Sequence, residues 1–318
     1  MKITRITLAL VQCFLIAGTA TATATAATTG TLQKIERSGT IHIGVRDSVI
    51  PFSYLDDKQS YQGYSIDLCL KVVEGLRQQP GLSGLKIKMV PVTPATRIPL
   101  MANGTVDMEC GSTTNNLERQ KQVAFSPTTF VAGSRFLSLV TSQVATLDDM
   151  KGKRFVTLAG STTIRDLLKV NAEKKLDLKI LTANNHAEAF LMVETGRADA
   201  FMTDDILLAS LMANARTPAD FTISQDPLSV EPYAIMIRRD DPEFKAFVDS
   251  AIGALYQSGQ ISPIYKKWFQ SPIPPKGVNL NTPMSKALKA VIARPTDSGD
   301  PQTYLDLAGV SGPNAIGK

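Results

Sequence analysis

The chain of 318 residues is poor in the residue types on which many catalytic and metal sites depend. It contains two histidines, three cysteines and one tryptophan. His42 alternates with isoleucines in a predicted strand, which leaves His186 as one poor candidate for a Ser-His-Asp triad. The sequence also lacks zinc-ligand spacing, a phosphate-binding P-loop and a dinucleotide-binding glycine run. We therefore expect no catalytic residues, no metal and no cofactor.

Strong charge of either sign is missing as well. The chain has 34 Lys and Arg against 29 Asp and Glu, a formal net charge of +5. This balance is too mild to indicate binding to nucleic acid. Apolar residues make up 43% of the chain, which suffices for two packed lobes.

The first 26 residues have the features of a secretory leader. Lys2 and Arg5 form a basic start, and residues 6–17 form an apolar core that is too short to span a bilayer comfortably. Ala24 and Ala26 supply the small residues that a signal peptidase reads. Removing residues 1–26 takes away two positive charges and no acids, so the formal net charge falls from +5 to +3. We predict a signal peptide and a soluble product in the periplasm.

The rest of the chain alternates between strand and helix patterns. Alternating apolar residues predict strands at 40–46, 85–92, 105–110, 154–159, 178–181, 197–203 and 233–238. Helical spacing and capping signals predict helices at 65–76, 97–104, 164–175, 189–196, 206–214, 241–248, 262–269 and 284–293. This rhythm is typical of α/β folds with a largely parallel sheet. Residues 296–318 are rich in Gly, Pro and Asp, and we predict a mostly disordered tail.

Residues 109–121 read Glu-Cys-Gly-Ser-Thr-Thr-Asn-Asn-Leu-Glu-Arg-Gln-Lys. The pattern predicts a strand end, a turn and a helix start, where amide and hydroxyl donors suit an anion. Arg119 can hold a carboxylate with two hydrogen bonds. Judged from the local pattern alone, Ser112 and Thr114 are better interpreted as helix caps, and Arg119 as part of a solvated charge run.

This run resembles the corresponding run of the glutamate/aspartate-binding proteins of bacterial ABC importers, and the similarity extends over roughly residues 32–295. The resemblance implies an α/β, two-lobed type-II periplasmic binding protein with two crossing hinge strands. Lobe 1 would comprise residues 27–134 and 237–295, and lobe 2 residues 135–236, with crossings near 133–136 and 234–236. It implies a monomer that captures L-glutamate or L-aspartate between the lobes for ABC permease subunits.

The resemblance also implies roles at the amino-acid end of the ligand. The α-carboxylate would be held by Thr114, Arg119 and Thr162. The α-ammonium would donate to Ser112 and Asp204. From its position alone, Asp204 is equally well interpreted as the N-cap of the following helix, and Asp205 suits either role.

Three further residues are implied to hold the ligand side chain, namely Arg46, Arg97 and His186. Taken singly, they are also typical of a solvated strand end, a first-turn arginine and a helix cap. Relatives carry serine where this chain has Pro94, so one hydroxyl contact is expected to be missing and the preference between aspartate and glutamate stays open.

Two cysteines, Cys69 and Cys110, remain after the leader, in what should be an oxidising compartment. We predict a disulfide, because one lies on a helix beside the strand that ends at the other. Buried free cysteines are the alternative.

Two other functions stay open at this point. A cyclohexadienyl dehydratase resembles the same fold and needs a carboxyl general acid, for which Glu109 or Glu231 is available, although both are better interpreted as strand-end or loop carboxylates. A soluble partner of a sensor or chemoreceptor would use the same closed form as its signal.

Overall fold

A computed structural model describes residues 30–309. The predicted signal peptide therefore lies outside the described residues, as do residues 310–318. Within the described part of the chain, no helix is long and apolar enough to cross a membrane.

The fold is mixed α/β, as predicted. The strands are β1 (Thr40–Val45), β2 (Ser48–Val49), β3 (Ser53–Leu55), β4 (Tyr61–Gln62), β5 (Lys86–Pro91), β6 (Met108–Glu109), β7 (Val123–Phe125), β8 (Phe130–Leu139), β9 (Arg154–Leu158), β10 (Lys179–Ala183), β11 (Ala200–Asp204), β12 (Phe221–Ile223), β13 (Ser229–Tyr233) and β14 (Met236–Arg238). The helices are α1 (Thr31–Ser38), α2 (Tyr64–Arg77), α3 (Arg97–Ala102), α4 (Thr162–Lys174), α5 (His186–Glu194), α6 (Asp205–Asn214), α7 (Pro242–Gln257), α8 (Ile261–Phe269), α9 (Lys286–Ala293) and α10 (Pro301–Ala308).

Two larger sheets divide these elements into two lobes. The first sheet has the order β5-β1-β6-β14-β7, and the second has the order β10-β9-β11-β8-β12 with β13 also paired to β8. We call each sheet with its helices the first and the second lobe. In β1, Ile41, Ile43 and Val45 are buried, as the apolar alternation predicts. Strand β1 pairs in parallel with β5 and β6, while β14 runs antiparallel to its neighbours.

The chain crosses between the sheets along β8 and β13. Tyr233 pairs with Phe130 and Ser229 with Ser134, whereas the rest of β8 pairs with β11 and β12. The crossings therefore lie near 130–134 and 229–233, a few residues before the predicted positions. Met236, which was predicted to lie in a crossing, already pairs with Glu109 in the first sheet. Alternation of apolar residues continues through a long strand, so it does not show where the strand changes partners.

The segment after β6 is extended, whereas the sequence pattern predicts a helix start there. Thr114 forms an isolated β-bridge with Tyr233, and the Asn115 amide donates to the Pro232 carbonyl at 2.7 Å. The only helical turn in this segment is a 3-10 turn at Arg119–Lys121. Pairing with the crossing strand thus keeps the backbone extended, and Ser112 and Thr114 cap no helix.

The tail also differs from its prediction. Residues after Thr296 continue into α10, whose Tyr304 is only 1% exposed and is hydrogen-bonded to Thr128 and to the Ser298 carbonyl. The side-chain amide of Asn115 donates to the Asp297 carbonyl at 2.8 Å. A segment with few apolar residues is ordered here because it docks one aromatic ring onto an existing surface.

Cys69 and Cys110 form the predicted disulfide, with 6.3 Å between their Cα atoms. It joins α2 to the residue after β6, and both cysteines are buried in the core of the first lobe. The turn that follows Cys110 is therefore fixed to a helix at its base.

Candidate functional site

All eight predicted site residues are buried between the two lobes, and seven of them line one cavity. The seven are Arg46, Arg97, Ser112, Thr114, Thr162, His186 and Asp204. Most lie just after a strand or at the first residue of the following helix, as with Arg46 after β1, Asp204 at the end of β11 and Thr162 at the start of α4. The carboxyl edge of an α/β sheet is where ligands usually bind.

Two arginines, whose charges act on each other, line this cavity. Burial, together with the charge of Arg97, lowers the pKa of Arg46 to about 10. Burial also lowers the pKa of Arg97. Its Nη1 group donates to the Thr113 hydroxyl, which donates to Glu109 at 2.6 Å. A buried carboxylate therefore lies behind the arginine pair and offsets part of its charge.

His186 lies beside these arginines. Burial, followed by the charges of Arg46 and Arg97, holds its pKa well below the usual histidine range. The ring is therefore neutral at pH 7 and offers one N–H donor. Its Nε2 atom lies 3.4 Å from the Thr203 hydroxyl, and its Nδ1 atom has no hydrogen-bond partner among residues 30–309. His186 can thus donate to an anion without adding charge.

Asp204 and Ser112 contribute acceptors to the same cavity. The Tyr233 hydroxyl donates to Asp204 Oδ2, whereas Oδ1 has no partner within the described chain. Burial, then the charge of Glu231, raises the pKa of Asp204 well above the usual range. A cation against Oδ1 would favour the ionised carboxylate.

The alternative roles of Asp204 and Asp205 are resolved by geometry. The Asp204 side chain makes no capping hydrogen bond to α6. Asp205 Oδ1 instead accepts from the backbone amides of Ile206, at 2.7 Å, and Gly133, at 3.3 Å. Asp205 therefore serves the local backbone, and Asp204 is the aspartate that lines the cavity.

Arg119 lies next to the cavity wall. Its Nη1 donates to the Thr114 carbonyl at 2.8 Å, and its Nη2 lies 3.5 Å from the Gly160 carbonyl of the second lobe. Burial, together with the charge of Arg97, lowers the pKa of Arg119 to about 9. This buried guanidinium therefore contacts both lobes and is not part of a solvated charge run.

The two lobes also approach each other closely at Gly160. A Cβ atom there would lie 2.7 Å from Ala95 Cα and 2.9 Å from the Pro94 carbonyl, and its φ is +77°. Pro94 also lines the cavity. At position 94, where the family resemblance implies a serine, the cavity wall therefore has no side-chain hydroxyl group.

The cavity is small in this conformation. Only about 20 Å³ is open to the centre of a water-sized sphere, which is roughly the space that one water molecule needs. An amino acid would enter only after the lobes or their side chains move apart. Within residues 30–309, no cluster of three or more His, Cys, Asp or Glu side chains is placed to hold a metal ion.

Sequence reasoning did not identify two carboxylates next to the cavity as part of a binding site. Glu231 accepts hydrogen bonds from Thr114 at 2.6 Å and from Thr162 at 2.9 Å. Glu109 lies behind the arginines. Both positions were interpreted from the sequence as strand-end or loop carboxylates, and the available signal for Glu109 was that it opens the segment 109–121, which carries predicted site residues.

Comparisons with known proteins agree with this architecture. Residues 41–271 match the model for bacterial extracellular solute-binding proteins, family 3. An L-glutamate/L-aspartate-binding protein of Pseudomonas aeruginosa is 52% identical over 86% of this chain and 91% of that protein. A glutamate/aspartate import solute-binding protein of Salmonella typhimurium is 43% identical over 93% of this chain and 99% of that protein. The structure of an ancestral arginine-binding protein bound to arginine is similar with a TM-score of 0.65 and 30% identity, covering 73% of this chain and 98% of that chain. The chain therefore belongs to family 3 of the bacterial extracellular solute-binding proteins.

Proposed function

We propose that this protein captures L-glutamate and L-aspartate in the cavity between its lobes, in the periplasm, and delivers them to ABC permease subunits. The observation that carries the proposal is the pair of buried arginines, Arg46 and Arg97, in a cavity that is also lined by threonines and an aspartate. The relatives named above, which include a protein for import, support the same ligand class and the same partner.

The charges around the two arginines suit a single carboxylate. Arg46 and Arg97 bring two positive charges, His186 is neutral, and the buried Glu109 offsets one charge. The remaining single positive charge is matched by one side-chain carboxylate. An amide side chain has the same shape and no charge, so it leaves a buried guanidinium unmatched.

Other residues suit the amino-acid backbone of the ligand. We assign the α-carboxylate to Thr114, Arg119 and Thr162, because they place a buried cation and donors from both lobes at one point. The α-ammonium lies against Ser112 and the unpaired Oδ1 atom of Asp204. Ligand binding thus requires groups of both lobes and favours closure.

A dehydratase-like function would need Glu109 or Glu231 as a general acid facing the ligand. Neither lines the cavity, and each accepts hydrogen bonds from neighbouring hydroxyl groups. The curated relatives are binding proteins for transport. The protein is therefore a binding protein and not an enzyme.

A panel of amino acids tests this function on the mature protein, after unfolding and refolding to remove ligand carried from the cell. Thermal unfolding is measured with each amino acid in large excess. A ligand at a thousand times its dissociation constant adds about 4 kcal/mol to the free energy of unfolding. We expect stabilisation by glutamate and aspartate alone. Equal stabilisation by glutamine, or by a basic amino acid, would show that the ligand assignment is wrong.

A further inference from the structure

One oxygen atom of Glu231 joins the two lobes. Its Oε2 accepts from the Thr114 hydroxyl at 2.6 Å and from the Thr162 hydroxyl at 2.9 Å. Thr114 belongs to the first lobe, and Thr162 opens α4 of the second. Glu231 is only 3% exposed. A buried charged acceptor thus bonds to a donor from each side of the cleft.

The carboxylate is held by the hinge itself. Glu231 lies in β13, opposite Ala132 of β8. Its Oε1 accepts from the Ser229 hydroxyl at 2.5 Å, and the Ser229 and Ser134 hydroxyl groups are 2.7 Å apart. Both oxygens of the carboxylate are therefore engaged.

Glu231 lies behind the ligand cavity. Thr114 and Thr162 line both that cavity and a second one of about 450 Å³, whereas Glu231 lines the second one alone. The two threonines form the wall between these spaces, and their hydroxyl groups bond to Glu231. Each hydroxyl group has a single proton to donate. A threonine whose hydroxyl donates to Glu231 therefore has only its backbone N–H left to donate to the ligand. The first backbone N–H groups of α4 have no hydrogen-bond partner within the helix, so they can donate to the ligand.

We propose that Glu231 is a positioning residue for ligand capture, whose carboxylate holds Thr114 and Thr162 together across the cleft and stabilises the closed form with or without ligand. The proposal rests on the proposed function, since it concerns the threonines assigned to the α-carboxylate. Opening the cleft separates the two hydroxyl groups, so Glu231 can keep at most one of them. Hydrogen bonds to charged groups are among the stronger ones in proteins, and the loss of one favours the open form.

The test compares Glu231→Ala and Glu231→Gln with wild type. The distance between the lobes is measured by spin labels at Lys121→Cys and Lys169→Cys, two exposed positions in the first and second lobes. We expect Glu231→Ala to lengthen this distance without ligand and to speed glutamate dissociation by about 10- to 100-fold, with little change in the association rate. Glu231→Gln retains an acceptor oxygen without charge and should give intermediate values, which a purely structural role would not produce.

Ser229→Ala is the matched control. It removes a hydrogen bond to the same carboxylate and leaves the link between the lobes, so its distance and dissociation rate should stay near wild type. If Glu231→Ala does not fold, Thr162→Val breaks the same link from the second lobe and should also lengthen the ligand-free distance.

Unchanged distances and dissociation rates in Glu231→Ala would overturn the proposal. Tighter binding would also overturn it, because Glu231 would then compete with the ligand for the threonines. The distance measurement needs no ligand. If wild type bound no acidic amino acid, the proposed function would fail while the role of Glu231 in closure was still tested.

Discussion

The hydroxyl group of Thr113 donates a 2.6 Å hydrogen bond to Glu109, and the same hydroxyl accepts from Arg97. Glu109 is fully buried. Burial lowers the pKa of Arg46 and of Arg97, and the charge of Glu109 opposes this change in both. The arginine pair thus has a resident counter-charge before any ligand enters, which limits the cost of keeping two cations in a closed cleft.

Glu109→Gln removes this counter-charge and keeps the side-chain size. We expect the free energy of unfolding without ligand to fall by about 3–5 kcal/mol, because a buried charge group loses one partner. The increase in the free energy of unfolding on glutamate binding should be larger in Glu109→Gln than in wild type, since the ligand then supplies the missing negative charge. Thermal unfolding with and without glutamate measures both. Glu74→Gln, at an exposed helix position, should change neither. Equal ligand-induced shifts in Glu109→Gln and wild type would contradict this account.

Arg119→Ala should abolish glutamate binding while the protein still folds. The guanidinium contacts the Thr114 and Gly160 carbonyl groups, and in the proposed binding mode its loss leaves the α-carboxylate without its cation. The expected loss is about 2–5 kcal/mol of binding free energy. Titration calorimetry measures it, with Lys121→Ala, an exposed cation in the same 3-10 turn, as the control. An affinity within a few fold of wild type would move the α-carboxylate site elsewhere.

Gly160→Ala should impair closure. The added methyl group would meet Ala95 and Pro94 of the other lobe, and the positive φ adds strain. Gly152→Ala separates these two effects, because Gly152 has a φ of +72° and no neighbour within 4 Å of the added atom. We expect glutamate affinity to fall at least about 10-fold for Gly160→Ala alone, an effect of about 1.4 kcal/mol. Equal affinities in the two variants would show that the contact does not limit closure.

Much of the fold could be predicted from the sequence, and seven of the eight predicted site residues line one cavity. Strands such as β1 and helices such as α2 follow from apolar periodicity, because each buries one face. The predicted site residues come together because most of them follow strands of the two larger sheets, and the carboxyl ends of these strands lie on either side of the cavity. The resemblance then selected these residues from many with the same local pattern.

The remaining features depend on contacts between distant parts of the chain. The segment after Cys110 stays extended because it pairs with the strand at Pro232, which no local pattern shows. The order of α10 depends on a pocket for Tyr304. Glu231 was interpreted as an ordinary carboxylate because its partners are 117 and 69 residues away in the sequence. Long-range partners of this kind override local propensity and are invisible to periodicity.

His186 predicts a measurable dependence of stability on pH. Its pKa in the folded protein is well below 6.5, because burial and the charges of Arg46 and Arg97 disfavour the protonated ring. Below about pH 6.5 the unfolded chain gains a proton that the folded protein does not, so stability falls as the pH falls, by up to about 1.4 kcal/mol per pH unit. His186→Gln should lose less stability than wild type between pH 7.5 and pH 5.5.

Carboxylates with a raised pKa, among them Asp166, Asp204, Asp205 and Asp249, act in the opposite direction and stay in both proteins. Burial and Glu231 raise the pKa of Asp166 to about 6, and burial raises that of Asp204. At each pH, the free energy of unfolding is measured with urea in the absence of ligand, and the value for the variant is subtracted from that for wild type. This subtraction largely removes the contributions of the carboxylates. A difference that does not change between pH 7.5 and pH 5.5 would mean that His186 takes up its proton normally in the folded protein.

The charge of Arg97 should set the preference for acidic over amide side chains. Arg97 and Arg46 line the cavity, and a side-chain carboxylate beside them gains a charge-assisted bond that an amide cannot match. We expect wild type to bind glutamine more weakly than glutamate by about 2–5 kcal/mol. Arg97→Met removes one positive charge and leaves Glu109 behind the site, so it should weaken glutamate binding far more than glutamine binding. The glutamate-to-glutamine affinity ratio, measured by calorimetry, is the decisive quantity. The exposed Arg37→Met variant in α1 is the control and should keep the wild-type ratio. A ratio unchanged by Arg97→Met would assign the discrimination to Arg46 and His186 instead, since the α-carboxylate contacts proposed for Arg119 are the same for both ligands.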